Sequence, residues 1–274
     1  MTLRLLHPPS LGAPREVAPA AGGAASPDAE DELAALYAHD LPEPARDARV
    51  RANLVTTLDG AAAGDDGSSR SISGPADLRV LVLLRSLADV VLVGAGTARS
   101  EGYGPLRVRA SLAARRSALG QAPAPALAVV TRSGRLPDAA LARRDDGGAV
   151  LAVTCESAGE DVLGRLRAAL GDGGVVVAGD DDVDLAAAVA ALAERGLRRV
   201  LCEGGPALLR DVAAAGLLDE LCLTTSPLLV AGDGPRALVG PALTAHLDLA
   251  SLLLADDGGG TLLGRWVVRR PGSA

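Results

Sequence analysis

Three kinds of residue in this chain could do chemistry: glycines in loops that close apolar runs, carboxylates at the ends of such runs, and arginines. The first loop is Val93-Gly-Ala-Gly-Thr97. Its two glycines permit a tight turn and close backbone approach to a phosphate, and Thr97 adds a hydroxyl. It is not a dinucleotide fingerprint, because Arg99 stands at the third glycine position and no acidic residue closes a second strand at the required distance. The second loop, Cys202-Glu203-Gly204-Gly205-Pro206-Ala207, leads from an apolar run into a helical stretch, Ala207–Ala215. Paired glycines at a helix N-terminus leave N–H groups free, which suits a diphosphate. Glu203, at the end of that run, is read as facing a ligand. Two more loops are polar: Thr57-Leu-Asp59-Gly60 with Ser68-Ser-Arg-Ser-Ile-Ser73, and Thr131-Arg132-Ser133-Gly134. Singly these are ordinary turn sequences.

Charge and composition narrow the choice. The net charge of −7 argues against a polyanion-binding surface and hence against nucleic acid as partner. The chain has no lysine, so its 27 basic residues are all arginine. Between Arg99 and Arg144 nine of them stand against only Glu101 and Asp138. A confined positive field of this kind suits a small phosphate-bearing ligand, whose oxygens match arginine's planar fork. Cys155, Cys202 and Cys222 are widely spaced and include no CxxC, so they read as buried thiols and no metal site is expected. The only histidines are His7, His39 and His246, and no G-x-S-x-G elbow occurs, which removes the support for a Ser–His–Asp hydrolase. No apolar run approaches the ~18–20 residues of a membrane span. With no secretory signal pattern at Met1-Thr-Leu-Arg, a cytoplasmic location is expected.

The elements that must position these loops follow from hydrophobic pattern. Residues 8–30 read as a loose leader and Asp31–Tyr37 as a short helix, so residues 1–45 are set apart from a single domain over 46–274. A strand is expected over Val50–Leu58. The helix that opens at Ser73-Gly-Pro75 and runs through Ser86 carries Leu78, Leu81, Val82 and Arg85 on one face. Short apolar runs at Asp89–Val93, Leu127–Val130, Val150–Val153, Val175–Val177 and Val200–Cys202 read as buried parallel strands. Helical stretches at Asp161–Leu170 and Val183–Arg195 lie between some of them. Glu220–Thr225, Leu249–Ala255 and Leu262–Arg269 lack long intervening helices and predict an antiparallel edge. The class is α/β, with a largely parallel central sheet and helices on both faces.

Taken in order, T-L-D-G, S-I-S-G-P-A-D, L-L-R-S-L-A-D-V-V-L-V-G-A-G-T, V-L-C-E-G-G-P-A-L-L and L-L-D-E-L-C-L-T-T-S-P-L-L resemble the riboflavin-pathway pyrimidine reductases over about residues 48–268. These form the reductase half of a bifunctional deaminase–reductase and have a dihydrofolate-reductase-like fold. The H-x-E and P-C-x-x-C pattern of the deaminase is missing, so the resemblance is to a monofunctional member. It implies NADPH as cofactor, contacted by Ser71, Thr97, Glu101, Arg132 and the Gly204-Gly205-Pro206-Ala207-Leu208 turn. It implies a phosphorylated ribosylamino-pyrimidine as substrate, such as 5-amino-6-(5-phosphoribosylamino)uracil, held by Ser69, Arg85, Arg107 and Glu203. In this scheme Arg85 and Arg107 take the phosphate. Glu203, and after it Asp59, polarises the substrate or relays a proton. Glu101 stands where an aspartate is frequent, Ser71 where a bulky residue can occur, and Arg107 aligns only with a small gap. The resemblance also implies a homodimer and no membrane partner. Two alternatives stay open: the same fold acting on dihydrofolate or another pteridine, and a dinucleotide-binding protein without catalysis.

Overall fold

The computed structural model describes residues 2–7, 15–17, 20–21, 24–25, 27–39, 41, 47–142, 145–256 and 258–270. Much of the expected loose leader (8–14, 18–19, 22–23 and 26), Pro42 and Pro44, and Arg143 and Arg144 of the arginine-rich stretch lie outside the described residues. The chain forms two compact units, one from the segments up to His39, Arg51–Leu84 and 218 onward, the other from the segment up to Val50 and Arg85–Leu217. In chain order the first elements are β1 (Leu3–His7), β2 (Arg15–Val17), β3 (Ala20–Ala21), β4 (Ala24–Ala25), α1 (Pro27–Leu36), β5 (Arg49–Thr57) and α2 (Pro75–Leu87). There follow β6 (Val90–Gly94), α3 (Ala95–Ser100), α4 (Ala110–Ala118), β7 (Ala126–Val130), α5 (Asp138–Leu141) and β8 (Val150–Thr154). Then come α6 (Glu160–Leu170), β9 (Val175–Val177), α7 (Leu185–Glu194), β10 (Arg199–Cys202) and α8 (Pro206–Ala214), and last β11 (Leu218–Ser226), β12 (Leu247–Ala255) and β13 (Leu262–Val268).

The second unit is the expected β/α alternation. Its strands lie in the order β10-β6-β7-β8-β9, every pair parallel. Val90–Val93 and Leu127–Val129 are wholly buried, which is why those runs show no polar alternation. α6 packs Leu163 and Leu166 against Ala152 and Val175. α7 starts at Asp184, whose carboxylate accepts from the amides of Ala186 and Ala187.

The first unit holds strands in the order β2-β1-β12-β13-β11-β5, and each pair from β2 to β11 is antiparallel. β11 and β12 alternate buried and more exposed positions, the pattern of a sheet with one face packed. Two expectations differ here. Residues 3–7, expected in a leader, form β1 and pair with β12 through Leu3↔Ala255 and Leu5↔Leu253. Leu3 and Leu5 are buried there, and five residues were too few for the alternation to stand out. On α2 the buried set is Ala76, Asp77, Val80, Leu83, Leu84, Ser86 and Leu87, while Leu78 is 52% exposed. That helix is apolar on more than one side, so periodicity alone could not choose its inner face.

One carboxylate of the first unit takes two guanidinium groups. Glu220 on β11 accepts from Arg51 Nε (2.8 Å), Arg265 Nε (3.0 Å) and Arg265 Nη2 (2.9 Å). The same two arginines donate to the carbonyls of Leu36, Tyr37 and Ala38, and so close the C-terminal end of α1, where cations are favoured. Burial would raise the Glu220 pKa, but the hydrogen bonds and charges of Arg265 and Arg51 outweigh it and hold it at about 2. We therefore expect Glu220→Gln, which leaves the buried Arg51 uncompensated, to lose about 3 kcal/mol of stability in urea denaturation. Because the folded pKa lies below the unfolded one, this contribution is complete above about pH 4.5 and fades as pH falls toward 2. Equal loss of stability between these pH values in wild type and the glutamine variant would remove Glu220 as the cause.

Candidate active site

The site in the second unit is set by Asp89, at the turn between α2 and β6. Its Oδ2 accepts from the amides of Arg198 (3.1 Å) and Arg199 (2.8 Å), and its Oδ1 from Gln121 Nε2 (2.8 Å). These bonds fix where β10 starts beside β6, with Val200 opposite Val90 and Cys202 opposite Leu92. The loops that leave the two strands are thereby adjacent: Glu203 N donates to Leu92 O (3.0 Å), and Gly94 N to Gly204 O (2.7 Å). The last turn of α2 is tied down by the same region. Arg116, buried on α4, donates to the carbonyls of Ser86 (3.0 Å) and Ala88 (2.6 Å), and Gln121 to that of Leu87 (3.0 Å).

Arg85 lies on that last turn and meets Glu203 in a fork. Nε donates to Oε1 (2.7 Å) and Nη2 to Oε2 (2.6 Å). The Tyr103 hydroxyl donates to Oε2 as well (2.6 Å), and its ring lies over the guanidinium, 5.4 Å from Cζ to centroid. Burial works against the Arg85 charge, but Glu203 outweighs it and keeps Arg85 firmly cationic. Burial, and next the charge of Glu203, push the Tyr103 phenol well above its ordinary range, so it remains a donor. Sequence reasoning missed Tyr103. Its signal was a glycine on each side in a chain with only two tyrosines.

The loop expected as a glycine turn after β6 is instead the start of a helix, α3, which contains Thr97. Glu101 caps it, its amide donating to Thr97 O (2.9 Å), and Tyr103 N donates to Ala98 O (2.8 Å). The second glycine loop leads into a helix as expected. Gly204 has φ +83° and the Gly204–Gly205 peptide is cis. A Cβ on Gly205 would lie 2.4 Å from Thr97 Oγ1. α8 follows with Pro206 in its first turn and no side-chain cap, leaving the amides of Ala207 and Leu208 for another acceptor.

At the ends of β7 and β8 a cleft of about 760 Å³ is lined by Arg132, Arg135 and Arg165, with Leu136 and Val162 as apolar wall and Asp181 at its edge. Arg135 and Arg165 were not singled out from the sequence, since isolated arginines in loops and helices usually mean solvated surface. Arg107 lies outside this group and pairs with Asp146 at 3.2 Å, both side chains more than half exposed.

A family model described as the RibD C-terminal domain matches residues 48–260. The chain belongs to the RibD C-terminal domain family. Among curated proteins it is 29% identical over 192 residues to the 2,5-diamino-6-ribosylamino-4(3H)-pyrimidinone 5′-phosphate reductase of Archaeoglobus fulgidus, covering 70% of this chain and 86% of that one. It is 33% identical over 187 residues to the protein of the same name from Methanothermobacter thermautotrophicus, covering 68% and 81%. Among solved structures, a pyrimidine reductase-like protein from Corynebacterium diphtheriae is similar with a TM-score of 0.71 and 28% identity, over 84% of this chain and 96% of that one. The α/β class expected from the sequence, with parallel strands, helices and antiparallel edge strands, is the class observed.

In this RibD C-terminal domain the remaining expected residues, Asp59, Ser69 and Ser71, belong to the first unit. Asp59 is not poised to relay a proton. It accepts from the Thr57 hydroxyl and from the amides of Ala231 (2.7 Å) and Val230, and these bonds, Thr57's first, hold its pKa below the usual carboxylate range. It fastens the segment after β11. Ser71 donates within its own loop, to Asp66 Oδ1 (2.8 Å) or Ser68 O (2.9 Å), and the Ser69 carbonyl accepts from the amides of Ile72 and Ser73.

The close approach of Gly205 to Thr97 yields a prediction. Gly205→Ala should lower stability by about 1–3 kcal/mol, because the added methyl meets a hydroxyl on a fixed helix. Thr97→Ala in the same chain should recover most of that loss in thermal melts. If the double variant melts no higher than Gly205→Ala alone, some contact other than Thr97 requires the glycine.

Proposed function

We propose that the chain is an NADPH-dependent reductase of a phosphorylated ribosylamino-pyrimidine. Its substrate is the 2,5-diamino-4(3H)-pyrimidinone named for its relatives or the close analogue 5-amino-6-(5-phosphoribosylamino)uracil. The observation that carries this reading is the pair of adjacent strand-end loops, with a glycine that packs against the Thr97 hydroxyl and a buried carboxylate beside it. The residues present fit a dinucleotide. Gly204, Gly205, Pro206 and the uncapped amides of Ala207 and Leu208 would hold its diphosphate, with Thr97 in α3 and Glu101 at its C-terminal cap as further contacts. Arg132, with Arg135 and Arg165, would take a 2′-phosphate while Leu136 and Val162 meet the base.

When bound, the cofactor supplies a hydride; the protein supplies orientation and charge. Glu203 is held by three donors as a fixed acceptor for substrate N–H or O–H groups. Arg107, whose exposed pairing with Asp146 is easily exchanged, is the proposed phosphate contact. The setting is cytoplasmic and the proposed partner a second copy of the chain. Leu228, Leu229, Leu238, Val239 and Leu243, between β11 and β12, are all exposed, Leu229 to 77%. Light scattering should give a dimer that Leu229→Asp weakens; an unchanged mass in that variant would move the interface elsewhere.

The deciding assay is NADPH oxidation with the phosphopyrimidine and with dihydrofolate side by side. Turnover of the former is expected; turnover of dihydrofolate alone would replace the reading with a pteridine reductase. NADPH should bind about ten- to a hundredfold more tightly than NADH, the usual worth of a charge-assisted phosphate contact. Arg132→Ala should reduce that ratio, and equal affinities in the wild type would exclude a 2′-phosphate site.

A further inference from the structure

Arg85 would ordinarily be read as a cation for the substrate's phosphate, but its surroundings serve another purpose. Both donors on one edge of its guanidinium are taken by Glu203, at 2.7 and 2.6 Å. One face of the group is covered by the Tyr103 ring. The Glu203 side chain is 3% exposed, so it cannot swing into water and release its partner. A phosphate drawn to Arg85 would also approach the carboxylate, which cancels most of the attraction. We propose that Arg85 and Tyr103 are positioning residues that hold Glu203 for the substrate, and that the phosphate is bound without Arg85.

Lone-pair accounting shows what this arrangement leaves open. A carboxylate has about four acceptor sites. Oε2 receives Arg85 Nη2 and Tyr103 OH, whereas Oε1 receives only Arg85 Nε among the described residues. The free site on Oε1 suits a hydroxyl or amino donor of a sugar-linked amine, presented with little freedom. The loop that brings Tyr103 is itself constrained. Gly102 has φ +68°, and a Cβ on Gly104 would lie 2.8 Å from Ala139 O. Tyr103 therefore sits on a fixed support, and its hydroxyl keeps Oε2 occupied while the second acceptor site of Oε1 stays open among the described residues.

The inference rests on the reductase reading for its kinetic test alone. Arg85→Met, Tyr103→Phe and the double variant would be assayed with the phosphorylated pyrimidine and its dephosphorylated form. We expect Arg85→Met to lower kcat/KM by the same factor on both substrates, about ten- to a hundredfold, with NADPH affinity unchanged. Tyr103→Phe should lose about tenfold, and the double variant little more than Arg85→Met, because both act through one carboxylate. A loss confined to the phosphorylated substrate would make Arg85 the phosphate anchor and overturn the proposal, as would losses that multiply in the double variant. If Arg85→Met does not fold, Tyr103→Phe, which keeps the ring, still decides: unchanged kcat/KM refutes a positioning role.

Ultraviolet titration of the two tyrosines provides a readout that needs no turnover. Glu203→Gln removes a charge that keeps the Tyr103 phenol protonated, so one phenol should ionise at lower pH than in wild type, and Tyr103→Phe should abolish that step. No change in Glu203→Gln would refute the triad. If wild type oxidises NADPH with neither pyrimidine, the reductase reading falls by itself. Inorganic phosphate binding then judges Arg85: unchanged affinity in Arg85→Met supports its commitment to Glu203, and lost affinity refutes it.

Discussion

Glu203 stands at the end of β10 with its side chain almost out of solvent, and a carboxylate in that position needs partners of opposite charge close at hand. That requirement reaches well beyond the residue. It draws Arg85 from the last turn of α2 and Tyr103 from the loop after α3, so three separate segments must end at one point. The surrounding bonds show how the fold meets it. Asp89 fixes β10 beside β6, Arg116 and Gln121 fix the end of α2, and the amide of Tyr103 is tied to Ala98. Loss of any of these moves a donor relative to a carboxylate that cannot follow.

The same strand register explains why the glycine loops work together. Parallel pairing of β10 with β6 delivers both loops at the same end of the sheet, where ligands of open α/β sheets bind. Gly94 donates to Gly204, and beside that bond the Thr97 hydroxyl occupies the space that a side chain on Gly205 would need. The first amides of α8 have no side-chain cap. The arginine-lined cleft lies on the neighbouring strands β7 and β8, so the glycine loops and the arginines fall on successive strand ends of one unit.

Much of this was legible in the sequence because buried parallel strands leave an unambiguous trace. Val175–Val177 is matched residue for residue, and Val200–Cys202 and Leu127–Val130 each lack only their first residue. The loops at their ends could be located for the same reason. What escaped were features decided by three-dimensional neighbours. Arg116 reads as surface on α4, yet it is buried because α2 presents it with unpaired carbonyls. Asp59 reads as part of a polar turn and as a second candidate for proton relay; the return of the chain at Val230 and Ala231, which sequence does not show, gives it two backbone donors. Tyr103 could not be paired with Glu203 from a separation of 100 residues. Arg85 was singled out from the sequence as a phosphate contact, but sequence holds no information on which anion it meets first.

A chain whose every cation is arginine makes its buried ion pairs in one particular way. Glu203 takes a fork from Arg85; Glu220 takes one from Arg265 and a further bond from Arg51; Asp89 takes Arg199. In each case the guanidinium plane fixes the direction of approach, which an ammonium on a flexible stem would leave free. Arg51, Arg116 and Arg265 use their remaining N–H groups on the carbonyls that end α1 and α2. A single side chain thus satisfies both a buried charge and a helix terminus, and this joins elements far apart in the chain. The geometry around Glu203 is the same device in miniature. There the joined elements leave one acceptor site of the carboxylate unfilled, and the chemistry of the site depends on what fills it.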